Sequence, residues 1–137
     1  MKKASVAKIL LSYLFFRKIT NGMGLNIGGH PSMIRPLIAP MSEAAAEKNT
    51  TKLTAENRQQ IRALSAASEN IGNFFSQLVF IGSGGLLLIK GVMTDNQLTV
   101  KLETMALWAL PTALFSLMVF AIFAKFISRK MAKKQEQ

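Results

Sequence analysis

The chain has no cysteine, which removes disulfides, thiolate metal sites and cysteine nucleophiles together. It has one histidine, His30, and seven acidic residues too scattered to form a ligand set, so no metal site is expected. No P-loop, nucleophile elbow or pair of catalytic carboxylates occurs, and the glycine-rich strings lack dinucleotide-binding spacing. Neither enzymatic activity nor a cofactor is expected.

What is abundant is apolar sequence and positive charge. Half of the 137 residues are hydrophobic and the mean hydropathy is +0.26, above the range usual for soluble domains. Seventeen Lys and Arg against seven acids give a formal charge of +10. That surplus fits nucleic acid, an anionic lipid surface or the loops of a membrane protein. Its placement decides. Lys2, Lys3, Lys8, Arg17 and Lys18 at one end, and Lys125, Arg129, Lys130, Lys133 and Lys134 at the other, flank apolar runs. Basic and aromatic residues do not interleave, which argues against a nucleic-acid partner and for the lipid bilayer. The opening MKKASVAKILLSYLFF begins like a secretory signal, but Arg17-Lys18 follows where cleavage needs small residues, so it is expected to be retained.

Residues 104–124, TMALWALPTALFSLMVFAIFA, carry no charge and as a helix would measure about 30 Å, a bilayer's hydrocarbon thickness. Trp108 suits an interface near one end, and Pro111 is tolerable where neighbouring helices satisfy the freed carbonyl. Residues 70–89, NIGNFFSQLVFIGSGGLLLI, are equally long and uncharged but contain four glycines with Asn73, Ser76, Gln77 and Ser83. Their Gly-Ser-Gly-Gly is the expected point of unwinding. A third stretch contains GLNIGGHPSMIRPLIAP, residues 24–40, with three of the four prolines. Either residues 4–22 form an imperfect span, or the first helix and this Gly/Pro stretch form a re-entrant pair. Residues 42–69 are helix-forming and water-compatible, with Thr54 placed as an N-cap and Ile61, Leu64 and Ser68 on one face.

The sequence therefore reads as one all-α, polytopic membrane domain over residues 1–137. Residues 4–41 are an apolar, broken or re-entrant segment, 42–69 a polar helical connector, 70–93 a broken transmembrane segment, 104–127 a transmembrane helix and 128–137 a basic cytoplasmic tail. The positive-inside rule places the tail and the connector in the cytoplasm and residues 94–103 outside.

All nine glycines fall in residues 22–29 or 72–91, inside apolar segments. Irregular backbone at membrane depth is acceptable only beside protein or a water-filled cavity, and secondary transporters bind anions at the N-termini of such broken helices. One expected wall of a site is Gly28, Gly29, His30, Ser32 and Arg35, and the other is Asn70, Asn73 and Gln77. Alternatives stand beside each: His30 caps its neighbours, Arg35 snorkels to the cytoplasmic face, and the amides bind adjacent helices.

The strings GGHPSMIRPLIAPMSEAAAEK, KLTAENRQQIRALSAASENIGNFFSQLVFIGSGGLLLIKG and ALWALPTALFSL resemble a former domain-of-unknown-function family of bacterial inner-membrane proteins. That family is described as one subunit of a 5-oxoproline (pyroglutamate) transporter and is similar to the ion-transporter superfamily. The resemblance covers residues 11–127 and implies a permease for a small organic anion, coupled to Na⁺ or H⁺, working with a second membrane permease subunit. Its motifs fall here on Gly28, Gly29, His30, Arg35 and Pro36, and on Glu69, Asn70, Gly72, Phe74 and Phe75. It also implies further hydrophobic helices ahead of this sequence, and an acidic residue where Ser76-Gln77 stand. The alternatives are a small membrane adaptor or assembly protein, or a truncated remnant of the permease.

Overall fold

The computed structural model describes residues 5–25, 30–48 and 53–135, with side chains described for 5–25, 32–48 and 53–131. Among these residues the regular structure is entirely helical. It comprises α1 (Val6–Gly22), a π-helical stretch (His30–Ile38) leading directly into α2 (Ala39–Glu47), α3 (Ala55–Gln77), α4 (Gly84–Asp95) and α5 (Leu102–Gln135).

The Ser5 side chain caps α1 by accepting from the Lys8 N–H. At the other end, the Leu25 N–H donates to the Thr20 carbonyl at 2.8 Å and the Gly24 N–H to that of Asn21 at 2.9 Å. This paired closure needs a left-handed residue, and Gly24 supplies it at φ +78°. The Phe80 ring lies against Gly24, where a Cβ would approach it to 2.5 Å. Pro36 sits inside the π-helical stretch and Pro40 in the first turn of α2. In a regular α-helix each ring would press on the carbonyl four residues back and leave it without a donor; a wider turn relieves both conflicts.

Thr54 caps α3, accepting from the Asn57 N–H at 3.2 Å, and the Ile61–Leu64–Ser68 face is buried. The boundary expected near residue 70 is absent. The buried face continues through Gly72 and Ser76, so the polar connector and the first part of the apolar run form one 23-residue helix. The chain then breaks at residues 78–83. Gly-Ser-Gly-Gly restarts it, Ser83 capping the 12-residue α4 by accepting from the Leu86 N–H.

Residues Leu102–Met131 of α5 are the one stretch among the described residues long and apolar enough to cross a membrane, an 18-residue window within it having a mean hydropathy of 2.1. Pro111 lies inside α5 without ending it. Most of this helix faces outward, Trp108 being 76% exposed. The other helices do not meet the same measure: α1 has 17 residues and contains Lys8, Arg17 and Lys18, while the apolar run 70–89 is divided between α3 and α4.

Helix directions follow from side-chain pairs. Arg17 meets Glu69 and Asn21 meets Asn73, so α1 and α3 run parallel. Glu43 meets Arg62 and Glu47 meets Arg58, so α2 runs antiparallel to α3. Lys18 donates to Ser116 at 2.9 Å, fixing the level of α5. Phe120, Ala124 and Met131 share a core with Val6, Ala7, Leu10, Ile61 and Leu64. Met131 lies about 22 Å along α5 from Ser116, so it reaches that core only if α5 is antiparallel to α1. Lys8, Lys48, Arg58, Arg62, Lys125, Arg129 and Lys130 consequently gather at one end of the bundle. At the other end Lys90 and Lys101 are balanced by Asp95 and Glu103.

Candidate functional site

Between the parallel helices α1 and α3 runs a polar seam built on a four-residue step. Tyr13, Arg17 and Asn21 come from α1; Glu69, Asn73 and Gln77 come from α3. The Arg17 Nε donates to both Glu69 oxygens at 3.0 Å, and an Arg17 Nη lies 2.8 Å from Glu69 Oε1. Tyr13 donates its hydroxyl to Glu69 Oε2 at 2.5 Å. Both charged side chains are at least 95% buried. A buried carboxylate is tolerated only when its lone pairs are used, and here three donor groups use them.

One turn further, Asn73 Oδ1 accepts from Asn21 Nδ2 and from Gln77 Nε2, each at 3.0 Å. The helices come this close because residue 72 is glycine. A Cβ there would lie 3.1 Å from Arg17 Cγ and 3.2 Å from Leu14 Cδ1. Above the seam a pocket of about 280 Å³ is lined by Asn21, Gly24, Gln77, Phe80, Ser83, Gly84 and Gly85. Two side-chain amides thus face the first residues of α4, where unsatisfied N–H groups and the positive end of the helix dipole favour an anion.

Lys18 extends the polar layer toward α5. Besides donating to Ser116, its Nζ lies 5.6 Å from the centre of the Phe75 ring. Ser116 is at the middle of the Leu102–Met131 stretch, so this ammonium stands at mid-depth of the candidate span. An ionisable group at such a depth is a candidate functional position.

The residues expected from sequence are dispersed. Gly28 and Gly29 lie outside the described residues, as does the His30 side chain, although His30 begins the π-helical stretch. Ser32 is on the exposed side of that stretch. Arg35 is exposed and lines a second pocket, of about 390 Å³, with Ile34, Ala39, Pro40, Glu43 and Arg62. Asn70 is exposed, one position off the seam. Asn73 and Gln77 are on the seam. Of the two expected walls, Arg35 and Gln77 therefore line different pockets. Arg62, beside Arg35, and Gln77 are about 22 Å apart along α3, because the helix restarted at His30 packs on the other half of α3.

Sequence reasoning did not place Tyr13, Arg17, Lys18 or Asn21 at a site, and Glu69 appeared there only as part of the resembling motif. A signal was present: Tyr13-Arg17-Asn21 and Glu69-Asn73-Gln77 repeat one spacing, and Arg17 interrupts an apolar run.

Among the described residues the structure is helical, with one helix long and apolar enough to cross a membrane and a buried charged seam beside it, the outline of a helical protein suited to a membrane. More specifically, the chain belongs to the family described as "Protein of unknown function (DUF969)", whose match covers residues 1–132. No curated protein and no solved structure matches it.

Proposed function

We propose that this chain is a subunit, or the C-terminal portion, of a secondary transporter for a small organic anion, multi-pass in the bacterial inner membrane and working with a second membrane permease subunit. The observation that carries this reading is the polar seam ending in a pocket at the start of α4. A substrate carboxylate there would meet the amides of Asn21 and Gln77 and the first N–H groups of α4. Glu69, two turns below, is the buried acid through which Na⁺ or H⁺ coupling would act. The one-sided collection of basic residues supports that end as cytoplasmic. In this placement α1 and α3 lie in the bilayer beside α5, with neighbouring subunits covering their polar groups. The choice of 5-oxoproline as substrate rests on the sequence resemblance.

Uptake of labelled 5-oxoproline tests this in cells carrying the chain with its membrane partner. Gln77→Ala and Asn21→Ala should lower uptake at unchanged membrane abundance, and normal uptake in both would remove the pocket from the pathway. A second reading, a small membrane adaptor, draws on the exposed apolar surface of α5 and the apolar pocket between α3 and α5 lined by Phe75, Phe115 and Phe123. It expects uptake to ignore both substitutions.

A further inference from the structure

The pocket beside Arg35 lies at the basic end of the bundle and has its own charge arrangement. Glu43 is shared: one oxygen accepts from Arg62 Nε at 2.7 Å, and the other pairs closely with Arg58. Arg58 also reaches Glu47 at 2.9 Å. Arg35 forms no ion pair with a described residue. Three guanidinium groups thus face two carboxylates, leaving one positive charge over, and the carboxylate lining the pocket is already engaged by two arginines. Arg62 holds Glu43 through its Nε hydrogen bond, which leaves its Nη groups as further donors. Around them the lining is apolar: Ile34, Ala39 and Pro40.

Depth identifies the ligand. Lys18 and Ser116 mark the middle of the candidate span, and Glu69 pairs with Arg17 in the next position of α1. Counting back along α3 from Glu69, Arg62 stands about 10 Å and Arg58 about 16 Å toward the basic end. The hydrocarbon half-thickness is about 15 Å, so the cluster straddles the border between acyl chains and headgroups. A pocket of three apolar residues, two arginines and a carboxylate already neutralised by Arg58 and Arg62, at that border, fits a phosphodiester joined to glycerol.

We propose that Arg35 and Arg62 form a binding site for the phosphate of an anionic phospholipid in the leaflet at the basic end. Arginine suits this role because its planar fork matches phosphate oxygens. The inference rests on the membrane placement given above but not on the transported substrate.

The test uses the full chain in a neutral detergent, with bound dioleoyl phosphatidylglycerol, dioleoyl phosphatidylcholine or inorganic phosphate counted by native mass spectrometry. Phosphatidylglycerol should be retained about fivefold over phosphatidylcholine, since a basic residue near an anionic headgroup contributes about that factor. Arg35→Ala should erase the preference, Arg35→Glu should reverse it, and Arg35→Lys should keep most of it. Arg129→Ala, near the basic end of α5, should leave it unchanged. Equal retention of the two lipids, or a preference indifferent to Arg35→Glu, would overturn the site. Displacement of the lipid by millimolar inorganic phosphate would overturn the lipid assignment in favour of a free anion. A chain that leaves the membrane on carbonate washing removes this inference and the transporter reading together. A chain that stays there without lipid preference removes this inference alone.

Discussion

Arg17 and Glu69, 52 positions apart in sequence, meet as a closed pair inside the α1–α3 interface, 2.8 Å apart and shielded from solvent. Tyr13 occupies the remaining acceptor direction of the carboxylate. Removing one partner strands the other charge. Arg17→Ala or Glu69→Ala should each cost about 3–5 kcal/mol, whereas Arg17→Met with Glu69→Leu should cost far less, because no uncompensated charge remains. Thermal unfolding of the purified chain in detergent measures all three. If the double variant falls as far as the single ones, packing rather than charge is the cause.

Glycine to alanine should change sign between two helices. At Gly72 the added methyl meets Arg17 and Leu14 at 3.1–3.2 Å, and both belong to a packed interface. Overpacking costs about 1–3 kcal/mol, against at most about 1 kcal/mol of helix propensity gained, so Gly72→Ala should destabilise. At Gly91, inside α4, nothing lies within 4 Å of the added atom. Gly91→Ala should therefore stabilise by up to about 1 kcal/mol. Equal shifts in melting temperature at the two positions would contradict the close approach of α1 and α3.

The pocket at the start of α4 depends on a ring resting on a glycine. Gly24→Ala would place an L residue at φ +78°, costing about 1–2 kcal/mol, and would force Phe80 away from the pocket wall. Phe80→Ala vacates that space. Gly24→Ala should therefore cost less in a Phe80→Ala background than alone, the difference being the steric part. Additive costs across the two single variants and the double variant would show that Phe80 does not press on Gly24.

How much of this was legible beforehand divides along physical lines. The helix-forming composition within residues 42–69, the capping role of Thr54 and the uncharged run in α5 are local properties, and α2, α3 and α5 follow them among the described residues. The boundary near residue 70 was not legible, because hydropathy changes there while the buried face of the helix does not. Glu69 read as the last residue of a solvated connector. Its burial depends on Arg17 and Tyr13, which composition around residue 69 cannot reveal. Arg35 stands out in the sequence as a charge within an apolar run, and in the structure it is exposed and lines a pocket with Glu43 and Arg62. Its pocket is set by the π-helical stretch and α2 packing back along α3, a tertiary outcome that the sequence motif does not carry.

The absence of cysteine makes the orientation directly measurable. Introduced thiols report without background at Asn96, just after α4, at Ser116 in the middle of α5 and at Arg129 near the basic end. With the basic end cytoplasmic, a membrane-impermeant maleimide should label Asn96→Cys in intact spheroplasts. Arg129→Cys should react only after permeabilisation, and Ser116→Cys should stay protected in both. Asn96 and Arg129 are 33 residues apart, and most of that interval is the α5 helix, about 40 Å from Leu102 to Arg129, enough to pass through a bilayer. Labelling of Asn96→Cys and Arg129→Cys from the same side would show that α5 does not cross. The seam could not then lie at membrane depth, because its level is tied to α5 through Lys18 and Ser116.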